Sequence, residues 1–416
     1  MRVFKFGGAS VKDAKGVKNL ISVLEQVGHD NTLIVVSAMG KMTNALELVI
    51  GHYFDNKKEL QSTIQEVVKY HNQIALELFE NENHPVFKAI SGLIEELKSF
   101  LNTNKSPDYN FVYDQVIGYG ELLSTTIVSQ YLSFQGINNN WLDVRQLIKT
   151  DDYYRNAKVN WQSTQHLITK TIDNKKLNIT QGFIASDKNN FTTTLGREGS
   201  DYTAAILAYC LNAESVTIWK DVPGVLNADP RYFENAQLLH SISYTEAIEL
   251  AFYGASVIHP KTLQPLQRKE IPLYVKSFLN PNAAGTVVNK TQGIKPEVPC
   301  YIVKQNQVLV SLSTLDFSYI VEDNLSDIFN LLSKYKMKVD VIQNSAISFS
   351  VCFENNYDNL EPLLLHLKAK FKVTCNDNVS LYTIRHYSQK SIKDLEKDKT
   401  VLLKQMFQET LQIVTK

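Results

Sequence analysis

The sequence predicts an α/β protein: a mainly parallel sheet sandwiched by helices, followed by a smaller ferredoxin-like region. Three observations carry this. An apolar run at Val3–Phe6 closes on Gly7-Gly8, a helical period follows over Val17–Gln26, and a second apolar run covers Leu33–Ser37. This β-α-β succession implies a parallel sheet, since parallel neighbours need a long crossover between them. Residues 192–231 then set a Gly/Ser-rich turn before an apolar helix, the strand Ser215–Trp219 and the turn Asp221-Val222-Pro223-Gly224. Past a stretch rich in Pro, Gly and Asn, the order becomes β-α-β-β-α-β, the ferredoxin-like plait.

Between these landmarks, residues 44–104 have a helical period, are rich in Lys and Glu, and break at Pro85; they read as a helical insertion or lid outside the sheet. A further helix starts near Gly120-Glu121, and strand-like pieces recur at Asn140–Leu142, Leu177–Gln181 and Pro272–Lys276. This region is assigned to residues 1–280, with 281–299 as a linker. In the third region, 300–385, strands are predicted at Gln307–Ser313, Val339–Ile342, Ser348–Cys352 and Val379–Ile384, with helices at Leu325–Tyr335 and Asn359–Ala369. Residues 386–416 read as part of a second such module or as a tail.

Bulk properties narrow the function classes. A chain of 416 residues exceeds one ordinary core, so two or three domains are expected. Lys+Arg and Asp+Glu stand at 43 each, which leaves no net field to attract nucleic acid or an anionic membrane. No apolar run reaches the roughly 18 residues of a membrane span, and the N-terminus enters a strand directly, so neither a span nor a signal peptide is expected. Cys210, Cys300, Cys352 and Cys375 are far apart in sequence and read as reduced thiols of a cytoplasmic protein.

Several short motifs carry chemistry. Lys5-Phe6-Gly7-Gly8-Ala9-Ser10 puts a cation on a strand ahead of bare glycine backbone; taken alone, Gly7-Gly8 is a tight turn, and it is neither a P-loop nor a dinucleotide motif. A turn of small residues before a helix aims N–H groups and the positive helix end at an anion. The turn ahead of the apolar helix adds Arg197, Ser200 and Asp201, groups that grip a carboxylate or a phosphoryl group. Glu121 has apolar neighbours, which leave it partly buried and in want of a cation. Ser37 to Asn44 carries a strand end into a helix, and taken alone it reads first as a helix cap by Thr43 or Asn44, worth about 1 kcal/mol. His259 reads as a polar anchor of its loop.

Residues 192–231, together with Lys5 to Ser10, resemble the most distinctive blocks of the aspartate kinases within the amino-acid kinase family. The resemblance implies the amino-acid kinase fold, a C-terminal ACT-like regulatory region, ATP and Mg²⁺ as cofactors with no protein metal site, and L-aspartate as phosphoryl acceptor. The product would be 4-phospho-L-aspartate, on the way to lysine, threonine and methionine. By the same resemblance, Lys5 is catalytic and Asp201 orients it. Ser37, Thr43, Glu121, Phe183, Arg197 and Ser200 border the amino acid, with Glu121 on its ammonium. Gly7, Gly8, Lys220, Asp221 and Arg231 face the nucleotide. A homodimer through residues 300–416 is expected. The stretch after the last plait strand is too short for a fused homoserine dehydrogenase.

Two departures from the family pattern stand out. Glu198 occupies a position usually held by glycine and would repel an anionic substrate unless it points away or is paired. Ser256 stands where many relatives carry a lysine; Lys220 or Lys261 could replace that charge. The alternatives are a related kinase acting on glutamate or an N-acyl amino acid, and a catalytically weak amino-acid sensor working through the ACT-like region. An N-acylated substrate would offer Glu121 no ammonium. Retention of Lys5, Arg197 and Asp201 together argues against the sensor.

Overall fold

The computed structural model describes residues 1–173, 175–255, 258–316, 318–355 and 359–416. They fall into two units, one of Met1–Val225, Leu238–Ile248 and Val257–Ile294, the other of Leu226–Gln237, Glu249–Ser256 and Lys295–Lys416.

The strands are β1 Arg2–Phe6, β2 Thr32–Val36, β3 Asn139–Leu142, β4 Leu177–Gln181, β5 Ile184–Ser186, β6 Thr192–Thr194, β7 Ser215–Lys220, β8 Ser241–Ser243, β9 Leu273–Ser277, β10 Thr286–Asn289 and β11 Ile294–Lys295. Nine of them form one sheet in the order β11-β8-β10-β9-β7-β1-β2-β4-β3, while β5 and β6 pair apart as a hairpin. From β9 across to β3 every pair is parallel. Burial on both faces explains why β2 reads Thr-Leu-Ile-Val-Val without alternation, all five residues being buried.

The helices of this region are α1 Ala14–Val27, α2 Met42–Asp55, α3 Lys57–Phe79, α4 Pro85–Thr103, α5 Tyr109–Ile117, α6 Tyr119–Phe134, α7 Trp161–Thr171, α8 Gly199–Leu211, α9 Tyr244–Tyr253 and α10 Pro260–Arg268. Asp13 caps α1 by accepting from the Gly16 N–H at 2.7 Å, and Pro85 opens α4 rather than breaking it, since the first turn needs no proline N–H. Helix α3 packs on both α2 and α4, and all three pack on α6, which lies on β2, β3 and β4. The predicted insertion is thus a helical layer built on α6. The linker expected at 281–299 contributes β10, whose Thr286 and Val288 are buried against the sheet in a two-residue alternation that its Pro- and Gly-rich flanks concealed.

In the second unit, β12 Cys300–Thr314, β13 Lys338–Asn344, β14 Ser348–Glu354, β15 Phe371–Arg385, β16 Val401–Phe407 and β17 Thr410–Thr415 make an antiparallel sheet in the order β13-β14-β12-β15-β17-β16. Helices α11 Glu322–Lys334, α12 Leu360–Lys368 and α13 Gln389–Glu396 complete it. Val308, Val310 and Leu312 pack with Ile328, Leu332, Leu363 and Leu367 of α11 and α12, while Leu309 faces the other way with Leu381, Leu403 and Val414. Strands β12 and β15 are each 15 residues long, well beyond the predicted Gln307–Ser313 and Val379–Ile384. Their outer halves pair Cys300 with Arg385 through to Lys304 with Leu381, and β15 carries that half on to β17. The last residues therefore extend the same sheet by two strands and add α13, whose Ile392 and Leu395 cover Ile384, Leu411 and Ile413.

Candidate active site

Parallel neighbours end together, and ligands of open α/β sheets bind beyond the carboxyl ends of the strands. Here Phe6 of β1 lies level with Val36 of β2 and Trp219 of β7, and Val36 lies level with Gln181 of β4. Lys5, Ser37, Phe183 and Lys220 consequently line one cavity of about 510 Å³, joined by Thr43 of α2, Glu121 of α6 and the turn of Arg197, Ser200 and Asp201 before α8.

At its base the Lys5 Nζ lies 2.7 Å from the Asp201 carboxylate, and both side chains are largely buried. A lysine on β1 and a carboxylate in the first turn of α8 are thus locked as a charged pair. Gly7 borders this pair, a Cβ there standing 3.2 Å from the Lys5 Nζ, and neither Gly7 nor Gly8 lines the cavity. The Gly8 carbonyl accepts from the Gly40 N–H at 3.0 Å, and a Cβ on Gly8 would stand 2.8 Å from the Ala38 carbonyl oxygen. The turns after β1 and β2 touch backbone to backbone, and only a glycine fits there.

Glu121 is 3% exposed. Its Oε1 accepts from the Ala38 N–H at 3.4 Å and its Oε2 has no partner among the described residues. Burial pushes its carboxyl up to about 8, against the smaller opposing pull of the Ala38 N–H and Lys5. A buried acid of this kind is poised to take a cation from the cavity. Thr43 does not cap α2; Lys41 holds that position with no side-chain cap, which leaves the Thr43 hydroxyl at the cavity wall.

Three non-glycine residues of the wall adopt the left-handed conformation: Arg155 at φ 67°, Phe183 at 68° and Glu198 at 52°. Such conformations cost of order 1 kcal/mol or more each and persist where the surroundings over-determine them. The Phe183 N–H donates to the Thr203 hydroxyl at 3.0 Å and its carbonyl accepts from the Leu195 N–H at 2.9 Å, fixing its ring over the turn. The Glu198 Oε2 accepts from the His259 N–H at 2.9 Å. His259 itself caps α10, accepting from the Lys261 N–H, which is the anchoring role predicted for it. Ser256 lies outside the described residues.

Asp221 is exposed in the turn after β7 and does not line the cavity. Arg231 belongs to the second unit, where its guanidinium grips Asp229 with a shortest contact of 2.6 Å. The cavity also holds Tyr113, Arg155 and Thr194, which sequence reasoning missed. Tyr113 and Thr194 sit on α5 and β6, elements too short to show a period. Arg155 sits in a polar run, Asp151 to Asn156, whose composition predicts a loop but not where it points.

The sequence model of the amino acid kinase family matches residues 1–277. The chain belongs to the amino acid kinase family. Within this family it is 34% identical over 358 residues to lysine-sensitive aspartokinase 3 of Escherichia coli K12, covering 83% of this chain and 76% of that one. It is 31% identical over 323 residues to the chloroplastic bifunctional aspartokinase/homoserine dehydrogenase 2 of Arabidopsis thaliana, where the match covers 76% of this chain but 34% of the relative. Among solved structures, E. coli aspartokinase III in complex with lysine and aspartate superposes with a TM-score of 0.84 at 28% identity, over all of this chain and 95% of that one. The same enzyme in complex with aspartate and ADP gives 0.80 at 28% identity, covering all of this chain and 96% of the other. The fold is therefore that of the aspartokinases, over both units.

Proposed function

We propose that this chain is an aspartate kinase, transferring the γ-phosphoryl group of ATP to the side-chain carboxylate of L-aspartate to give ADP and 4-phospho-L-aspartate. The observation that carries the reading is Glu121, a buried carboxyl with an unpartnered oxygen in the same cavity as Arg197 and the Lys5–Asp201 pair. An ammonium, a carboxylate and a transferring phosphoryl group are the three things these residues can serve together.

In this reading Glu121 takes the α-ammonium and Arg197 the α-carboxylate, a fork on a planar anion. Ser37, Thr43 and Ser200 offer hydroxyls, and Phe183 borders the chain of the amino acid. The side-chain carboxylate is already ionised at neutral pH and needs no base. One of its oxygens forms the new P–O bond as the bond to the ADP oxygen breaks. Lys5, held in place by Asp201, stabilises the phosphoryl oxygens, while alignment supplies much of the remaining advantage. Lys220 at the cavity wall, with the bare backbone of Gly7 and Gly8 and the neighbouring Asp221, serves the nucleotide; Arg231, engaged by Asp229, is given no part in it. Of the three carboxylates in the cavity, Asp201 is engaged by Lys5, Glu198 by a backbone N–H, and Glu121 is assigned to the ammonium, a donor set that fits Mg²⁺ held chiefly by the nucleotide phosphates, whose charge it would neutralise.

The reading includes a reducing, cytoplasmic setting, supported by the buried free thiols Cys210, Cys300 and Cys352. It also includes a homodimer through residues 300–416. The two outer strands of the second sheet, β13 and β16, expose Ile342, Met406 and Phe407, surface that a partner would cover. The deciding experiment is a coupled assay of ATP consumption with aspartate, glutamate and N-acetylglutamate side by side. Turnover confined to aspartate is expected; preference for either rival would replace the assignment.

A further inference from the structure

We infer that Arg155 is a second guanidinium of the acceptor site, gripping the non-reacting carboxylate of the substrate beside Arg197. The inference rests on the aspartate kinase reading.

The turn that carries Arg155 is built with care. Both oxygens of the buried Asp114 accept from the Arg155 N–H, at 3.1 and 3.0 Å. The same carboxylate takes the Thr194 N–H at 2.8 Å and its hydroxyl at 2.9 Å. One side chain of α5 thereby fixes two residues of the cavity wall and holds Arg155 in its left-handed conformation. Nothing about a loop needs an arginine there; glycine would adopt that backbone with less strain.

The side chain is exposed and stacked on a ring, and among the described residues its charge is met only by the electrostatic reach of the buried Asp114 carboxyl. The guanidinium carbon stands 4.3 Å from the centroid of the Tyr113 ring, and the Tyr113 hydroxyl is itself fixed by donating to Glu47 at 3.0 Å. Among the described residues Arg155 makes no ion pair and no side-chain hydrogen bond. A guanidinium stacked on an aromatic face keeps its in-plane donors available for a planar anion.

The neighbours decide which anion. The Ala157 N–H donates to the Thr194 carbonyl at 2.9 Å. Lys261 Nζ bridges the two arginine-bearing turns, donating to Asn156 Oδ1 at 2.7 Å and to the Leu195 carbonyl at 3.0 Å. A Cβ on Gly196, next to Arg197, would meet the Arg155 carbonyl oxygen at 3.3 Å. The two arginines therefore sit on turns in backbone contact and line the same cavity as Lys5 and Lys220, which come from β1 and β7. A carboxylate has about four acceptor sites and can take both forks.

The test is Arg155→Gly, because glycine at φ 67° relieves strain while removing the guanidinium. Its melting temperature should equal or exceed the parent's, while KM for aspartate rises about 10-fold or more and KM for ATP stays within about twofold, as expected for the loss of charged hydrogen bonds to one ligand. Arg155→Lys should recover only part of the loss. An unchanged aspartate KM, or a rise confined to ATP, overturns the inference. A parent enzyme that does not phosphorylate aspartate would instead overturn the reading beneath it.

Discussion

Glu198 ends on the N-terminus of α10, where its carboxylate accepts from the backbone N–H of His259 at 2.9 Å. A negative charge at the mouth of an anion-binding cavity would repel substrate; here it is turned onto the positive end of a helix instead. The residue that departs from the family's usual glycine thus acts as a tie between the substrate turn and α10.

That tie predicts an order of stabilities. Glu198→Ala loses the hydrogen bond and keeps the strained backbone, whereas Glu198→Gly loses the bond but relaxes φ 52°, a difference of about 1 kcal/mol in favour of glycine. Thermal melts of the two variants should place Glu198→Gly above Glu198→Ala. The reverse order would mean that the left-handed backbone at position 198 is not a source of strain.

Removing the charge at the base of the cavity should be felt in turnover. Lys5→Ala is expected to lower kcat by about 100-fold, from loss of a cation aimed at the transferring group. Circular dichroism should show the fold intact. Near-normal kcat would remove Lys5 from the chemistry.

Glu121 gives the cavity a pH dependence with a defined sign. Its folded pKa of about 8 exceeds the ordinary carboxyl value, so the folded state binds this proton more tightly than the unfolded chain. Its stabilising contribution is complete at acid pH and is lost as pH rises towards 8. Binding an ammonium there must expel the proton. From about pH 6.5 up to about 8, aspartate affinity should rise with pH, and calorimetry in buffers of different ionisation heat should detect proton release. Glu121→Gln should flatten both trends and raise KM for aspartate more than for ATP. A pH-independent affinity in the parent would show that Glu121 does not meet the ammonium.

Feedback control is expected to be weak. The turn from Leu315 to Asn324 contains no glycine that would let backbone approach a small ligand, although its Phe317 lies outside the described residues. Asp340, the carboxylate best suited to an effector ammonium, is instead paired with Lys304 at 2.7 Å, its side chain 8% exposed. Activity titrated with lysine and with threonine up to about 10 mM should change little, a range in which even millimolar binding amounts to only about 4 kcal/mol. Inhibition at micromolar concentrations of either would reveal an effector site of different geometry.

What the sequence determined by itself was local. Burial on both faces wrote β2 as an almost unbroken apolar run and left shorter apolar stretches in β1 and β7, and the crossovers between them implied parallel pairing, so the sheet is legible in the chain itself. The same holds for Lys5, Glu121, Arg197 and Asp201, whose chemistry is announced by short motifs of contiguous residues. Tertiary structure alone decided what distant segments bring to one place. Asp114, 41 positions from Arg155 and 80 from Thr194, draws both to the cavity through hydrogen bonds that leave no periodic trace. The outer half of β12 is given its partner by β15, far along the chain, and β17 joins the same sheet by the same means. Propensity and pattern act between near neighbours; the position of a loop arginine or the membership of a sheet is set by contacts whose energy exists only once the chain has closed on itself.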